Sequence, residues 1–405
     1  MPIIMLFSGV FCGKQPVLED LMASTGYRHI TDDDVVRRVE ALTGAEESKI
    51  RRAFSAKTSV FNKFTHEKEC SIAHLRFALA EMLADDGLIL DGFSGLLIPK
   101  SIDHVLRVCL IAEMPFRIER AVSVHSLTEK EALKIIHKED GDRAAWTAAL
   151  FSHQDPWAEE LYDMVIPMNH TDRHRASSLI EENLLKDALG RTEHSEKAQM
   201  DFLLASRTEA LLCKAGHDVK VEADGGKVLV NINKHVLMLA RLEEELKTIA
   251  GNIPGVASVA TKVGKDFHKA NIYRKHNFEV PSRVLLVDDE REFVQTLSER
   301  LQLRDMGSSV AYDGESALEL VREDEPEVII IDLKMPDIDG IEVLKKVKKQ
   351  RPEIEVIVLT GHGSEEDRRR CMELGAFDYL QKPVDINHLS QVLKQAYAKT
   401  QKTSR

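Results

Sequence analysis

Acidic side chains close two apolar runs near the C-terminus. Val284-Leu285-Leu286-Val287 leads into Asp288-Asp289-Glu290, and Val328-Ile329-Ile330-Ile331 leads into Asp332. In an open parallel sheet, ligands sit outside the carboxyl ends of the strands, so carboxylates placed there converge. An all-oxygen set of this kind suits a hard cation such as Mg²⁺, which keeps several waters. A carboxylate beside such an ion can attack a phosphoryl group in line and hold an acyl phosphate, and Asp332 is the natural nucleophile. Farther along, Thr360-Gly361-His362-Gly363 offers a hydroxyl and small residues, and Gln381-Lys382-Pro383 brings an ammonium to the same rim.

These residues need a scaffold, and the sequence around them alternates strands with helices. Apolar runs at 284–287, 308–312, 328–331, 356–359 and 377–380 are each followed by a polar turn and a segment of helical spacing. That rhythm predicts a doubly wound, five-stranded parallel sheet.

This stretch, about 283–400, resembles the receiver domain of bacterial two-component response regulators. The resemblance rests on Asp288-Asp289, Asp332 followed by Met335-Pro336-Asp337 and Asp339-Gly340, Thr360, and Tyr379 ahead of Lys382-Pro383. It implies a flavodoxin-like fold in which Asp332 accepts phosphate from a sensor histidine kinase. Asp288, Asp289 and Asp332, with the backbone carbonyl of Lys334, would bind Mg²⁺. Thr360 and Tyr379 would form the switch pair, Lys382 would contact phosphoryl oxygens, and the Lys382-Pro383 peptide would be cis. A homodimer through the receiver also goes with the resemblance.

A second anion site is written at the N-terminus. Ile3-Ile4-Met5-Leu6-Phe7 reads as a strand, followed by Ser8-Gly9-Val10-Phe11-Cys12-Gly13-Lys14-Gln15 and a helix from Pro16. Strand, Gly-Lys turn and helix start together present backbone N–H groups to phosphate. The full phosphate-loop pattern is G-x-x-x-x-G-K followed by Ser or Thr. Here Ser8 stands at the first glycine position, and Gln15 replaces the hydroxyl that would hold Mg²⁺. The departures leave phosphate binding by Gly9, Gly13 and Lys14 open and argue against phosphoryl transfer. Residues 88–91, 105–112 and 161–167 read as further strands, while Arg117 and Arg120 share a helix face. The 1–190 stretch is similar to the cytidylate kinase-like family of P-loop proteins, with Lys14 as the phosphate lysine and Arg143 in the position of a lid arginine. The resemblance implies ATP or another nucleotide as ligand.

Between these blocks, 191–217 reads as a helical connector. Val219-Lys220-Val221-Glu222 and Val228-Leu229-Val230-Asn231-Ile232 flank Asp224-Gly225-Gly226, a hairpin signal. A helix over 236–249 and a strand over 256–260 complete a small α+β module, 218–263, which looks like a BON domain; a plain spacer is the alternative. The Lys- and His-containing segment 264–282 reads as a linker.

A chain of 405 residues predicts two or three domains. Its net charge of -12 argues against sequence-independent nucleic-acid binding, and no DNA-binding helical motif follows the receiver. With no apolar run of transmembrane length and no basic leader, a cytoplasmic, membrane-free protein is expected. The five cysteines lack paired spacing and are expected to be reduced thiols. Two functions follow: a response regulator signalling to a nucleotide-binding domain, or a nucleoside monophosphate kinase regulated by the receiver.

Overall fold

The computed structural model describes residues 1–403 except 235, 237, 265–278 and 362. Most of the expected linker, with Lys265, His268, Lys269, Lys275 and His276, lies outside the described residues. The chain forms two compact units. One contains the described residues up to 264 apart from Ser59–His66; the other contains those from 279 onward together with Ser59–His66. The expected domain 1–190 is therefore interrupted at 59–66, and its remainder shares a unit with 191–264.

The first unit is built on a five-stranded parallel sheet. Its strands are β1 (Ile3–Ser8), β2 (Arg28–Thr31), β3 (Leu88–Asp91), β4 (Val105–Ile111) and β5 (Met164–Pro167), in the order β2-β3-β1-β4-β5. Every residue of β1 is buried, as a central strand covered on both faces requires. Phe7 and Trp146 are almost fully buried on one face, and Leu6, Val17 and Ile180 on the other. The strand order reverses between β1 and β4, and the loop after β1 opens at that point. Gly13 takes the left-handed conformation (φ 82°) just before the helix Lys14–Thr25, a turn that glycine makes without strain.

The same unit carries a smaller sheet. β6 (Lys220–Asp224) and β7 (Lys227–Ile232) form an antiparallel hairpin, and β8 (Ser258–Val263) adds in parallel to β7. The loop residues Gly225 and Gly226 both have positive φ, which fits a two-residue primed turn. The helix Leu239–Gly251 buries Leu242 and Leu246 in the same cluster as Val228 and Val230. The long helix Glu193–Lys214 leads into β6.

In the second unit, β9 (Val284–Val287), β10 (Ser308–Ala311), β11 (Val328–Ile331), β12 (Glu355–Thr360) and β13 (Asp378–Gln381) form a parallel sheet in the order β10-β9-β11-β12-β13. Helices cover both faces, with separate clusters around Leu285 and Ile331 on one side and Leu286 and Ile330 on the other. This is the doubly wound arrangement that the alternating pattern predicts. Phe61 belongs to the first of these clusters and is fully buried. The Val60 N–H donates to Asp324 Oδ1 at 3.3 Å.

The cysteines depart from expectation. Cys70 and Cys213 are joined by a disulfide spanning 143 residues, while Cys12, Cys109 and Cys371 are buried thiols. Spacing could not reveal the pair, because the helices Glu67–Met82 and Glu193–Lys214 meet only in the folded chain.

Candidate functional site

The receiver-like sheet reverses its order between β9 and β11, and both of these strands end in acids at the crevice this creates. Asp288 and Asp289 follow β9, and Asp332 follows β11. One oxygen from each lies within 4.8 Å of the others. Asp288 and Asp332 are buried, while Asp289 is exposed.

Lys382, carried just beyond β13, reaches into this group. Its ammonium donates to Asp288 Oδ2 at 2.7 Å, Glu290 Oε1 at 3.0 Å and Asp332 Oδ2 at 3.2 Å, and lies 4.3 Å from the Phe293 ring centre. The Lys382-Pro383 peptide is cis. Burial works against the charge of Lys382, yet the hydrogen bonds to Asp288 and Glu290 and the field of Asp288 and Asp332 more than offset it. Its pKa is therefore held above the ordinary lysine value. Burial also raises the Asp288 pKa, only partly opposed by Lys382 and the Glu290 N–H.

Asp332 is fixed from two sides. Its Oδ1 accepts the Leu333 N–H at 2.7 Å and its Oδ2 accepts from Lys382. Gly340 packs so closely that a Cβ there would come 2.1 Å from the Asp332 carbonyl oxygen. The Asp339 side chain caps the next helix, Gly340–Gln350, through the Glu342 N–H. Lys334, two residues past Asp332, is exposed.

Around the rim, Thr360 ends β12 and is buried. Tyr379 in β13 is also buried, and its hydroxyl is without a partner among the described residues. A Cβ on Gly363 would meet that hydroxyl at 1.6 Å, so the loop after β12 passes directly over the tyrosine. The donor set fits a small divalent cation. Asp288, Asp289, Glu290 and Asp332 face the single ammonium of Lys382 and leave negative charge for an oxygen-seeking ion to balance.

The N-terminal loop is wired differently. Lys14 points to Asp91 at the end of β3, 2.6 Å from Oδ1 and 2.8 Å from Oδ2, and His29 Nε2 lies 3.3 Å from the same carboxylate. Asp32 accepts the Phe93 and Ser94 N–H groups at 2.8 Å each, and burial raises its pKa against those bonds. Arg143 Nε donates to the Ser8 carbonyl at 2.8 Å, and its Nη1 to Glu139. Arg117 forms a two-pronged pair with Asp140 and donates to the Val10 carbonyl. Arg143 and Arg117 thus bond carbonyls of the loop itself, at Ser8 and Val10. Gly9 packs against Cys12, whose sulfur would lie 2.7 Å from a Cβ there, and Gly13 faces Arg120. Lys14, Asp32, Asp33, Asp91 and Arg143 still line one small cavity of about 230 Å³. Sequence reasoning placed Asp91 at a strand end but missed Asp32 and His29, whose strand β2 has a single buried apolar residue, Ile30.

Comparison with known proteins assigns both folds. Residues 284–394 match the response regulator receiver domain, and residues 3–170 match the cytidylate kinase-like family. The chain therefore carries a receiver domain towards its C-terminus and a cytidylate kinase-like domain towards its N-terminus.

Among curated relatives, the transcriptional regulatory protein CpxR of Escherichia coli is 43% identical over 108 residues, covering 27% of this chain and 46% of CpxR. Response regulator MprA of Mycolicibacterium vanbaalenii is 34% identical over 110 residues, covering 27% of this chain and 48% of MprA. The chain thus spans about half the length of these relatives. Among solved structures, a response regulator receiver domain protein from Clostridium thermocellum is 32% identical, with a TM-score of 0.29, over 30% of this chain and 97% of that one. Among the described residues, no helix is long and apolar enough to cross a membrane.

Proposed function

We propose that this protein is the response regulator of a two-component phosphorelay, accepting a phosphoryl group on Asp332 from a sensor histidine kinase. The observation that carries the reading is the meeting of Asp288, Asp289 and Asp332 within 4.8 Å, with Lys382 bonded to two of the three. An Asp332 carboxylate oxygen forms the new bond to phosphorus as the donor's P–N or P–O bond breaks, and the leaving group departs with the electron pair and takes up a proton. The Leu333 N–H holds the other carboxylate oxygen, and Lys382 meets the transferred phosphoryl oxygens. Asp288, Asp289, Asp332 and the Lys334 carbonyl would hold Mg²⁺, which when bound supplies charge neutralisation for the incoming phosphoryl group. Thr360 and Tyr379 then serve as the switch, shifting population once the acyl phosphate is present.

The cytidylate kinase-like domain, spanning 1–190 in this reading, acts as the recipient of the signal. Its phosphate lysine is already bonded to a carboxylate, and Gln15 stands where a metal-binding hydroxyl would be. These features favour a nucleotide-sensing or partner-binding role over turnover. The 218–263 module, BON-like or a spacer, connects it through 264–282 to the receiver.

The test is incubation of purified protein with a small phosphodonor and Mg²⁺. Acid-stable, base-labile phosphoprotein is expected, and none in Asp332→Asn; label persisting in that variant would contradict the assignment. A coupled assay with CMP and ATP decides the kinase question. Turnover abolished by Lys14→Ala would replace the sensing role with an enzymatic one.

A further inference from the structure

The strand β4, Val105-Leu106-Arg107-Val108-Cys109-Leu110-Ile111, carries one charged residue among apolar ones. Arg107 sits in the middle of a central strand, directly beside Met5 of β1, and is only 6% exposed. A buried charge at such a position is costly unless something opposes it. Nη1 donates to the Val105 carbonyl at 3.0 Å and Nη2 to the Pro99 carbonyl at 2.7 Å. Among the described residues, one carboxylate lies within 4 Å of the guanidinium, Asp163 at 3.8 Å, and its side chain is about half exposed. Two of the five guanidinium N–H donors are thus committed, both to neutral acceptors.

Arg107 is also a wall of a cavity of about 640 Å³ in the first unit. This cavity shares no residue with the one around Lys14. Met5, Leu96, Leu97, Leu161 and Phe202 supply apolar surface, and the helix Glu193–Lys214 and strand β6 close the other side. Its volume falls in the range of small-molecule sites.

The charged residues of the wall are Arg76, Lys100, Arg107, Lys197 and Lys220 against Asp201, Glu209, Glu222 and Asp224, five cations to four carboxylates. Arg76 and Lys220 share Glu209 at 3.2 and 3.1 Å, and Lys197 pairs with Asp224. Lys100 donates to the Glu160 carbonyl. Among the described residues, Arg107 and Lys100 form no ion pair with a carboxylate of this wall, and the nearest acid to Arg107 is Asp163, outside it.

We infer that this cavity binds a small organic monoanion, a carboxylic acid with an apolar body, whose carboxylate meets Arg107. A planar carboxylate matches the fork of guanidinium N–H groups. A singly charged head suits one guanidinium in a wall whose other charges nearly cancel, whereas a nucleotide or inorganic phosphate would bring excess negative charge. The kinase-like unit thereby gains a ligand site separate from its phosphate loop. This inference does not depend on phosphoryl acceptance at Asp332.

The experiment is calorimetric titration of the full chain with n-alkanoates from hexanoate to dodecanoate, each compared with its primary amide. We expect saturable binding of one molecule per chain for at least one acid, with its amide weaker by about tenfold or more, since a charge-assisted bond is lost. Arg107→Met removes the charge while keeping an apolar filler, and Ala198→Phe fills the cavity from the opposite helix. Both should abolish binding, with folding checked by circular dichroism, and Asp332→Asn should bind as wild type does. Should Arg107→Met fail to fold, Ala198→Phe and the acid-amide comparison still decide. No alkanoate binding at millimolar concentration, equal binding of acid and amide, or undiminished binding in Ala198→Phe would each overturn the inference.

Discussion

Lys382 holds its ammonium 2.7 Å from Asp288 and 3.2 Å from Asp332, so one cation serves both a proposed metal ligand and the proposed phosphoryl acceptor. Replacing it with alanine leaves two buried carboxylates without their nearest counter-charge and removes the donor that would meet the incoming oxyanion. Lys382→Ala is expected to slow labelling by a small phosphodonor by about a hundredfold, the scale of losing one preorganised donor. Rapid-quench time courses at saturating Mg²⁺ would measure it. A wild-type rate would remove Lys382 from the reaction.

At the N-terminal loop the lysine is already satisfied. Lys14 bonds both oxygens of Asp91, and His29 approaches the same carboxylate. A polyphosphate must compete with that pair and with the nearby carboxylates of Asp32 and Asp33. Asp91→Asn keeps the shape and removes the competing charge. It should tighten binding of metal-free ATP by about tenfold, on the order of one charge-assisted hydrogen bond. Calorimetry on both proteins checks this; weaker binding in the variant would mean that Asp91 assists the ligand instead.

The thiols give a pH prediction. Burial lifts Cys12 and Cys371 to about 11 and Cys109 to about 12. Native protein should therefore resist iodoacetamide near neutral pH, with mass spectrometry finding three modified cysteines after denaturation alone and five after denaturation with reductant. The linkage has a definite sign. The folded chain keeps these protons where unfolded thiols, near 9.0, have lost theirs. Their contribution is whole below about pH 9 and declines as pH rises towards 11 to 12. Urea midpoints measured across that window should fall. Any cysteine open to alkylation in the native state at neutral pH would contradict the burial argument.

What the sequence made legible followed local pattern. The runs around 284–287 and 328–331 are apolar on both faces, so strand identity and the acids at their ends could be read together. Gly225 and Gly226 announced a hairpin because their backbone angles suit few other residues. Partners far apart in sequence stayed hidden. Nothing local to Lys14 points to Asp91, 77 residues on. Cys70 and Cys213 lie on helices with ordinary helical spacing. Nothing in the run 105–112 marks Arg107 as buried, and only the packed sheet shows it walled in beside a cavity.

Phe61 gives the remaining prediction. It lies in the sequence matched to the kinase-like family, yet it is fully buried in the cluster that contains Leu285, Val321 and Ile329. Phe64, three residues on, approaches Gly307 so closely that a Cβ there would meet its ring at 2.8 Å. Truncation of a buried phenylalanine to alanine costs about 3–5 kcal/mol through lost transfer energy and the cavity left behind. In Phe61→Ala, hydrogen exchange measured by mass spectrometry should accelerate by about a hundredfold or more in β9 and β11. Exchange in β1 and β4 should stay unchanged, because their clusters contain no residue of 59–66. If β9 and β11 exchanged as in wild type, the 59–66 segment would have no part in the receiver core.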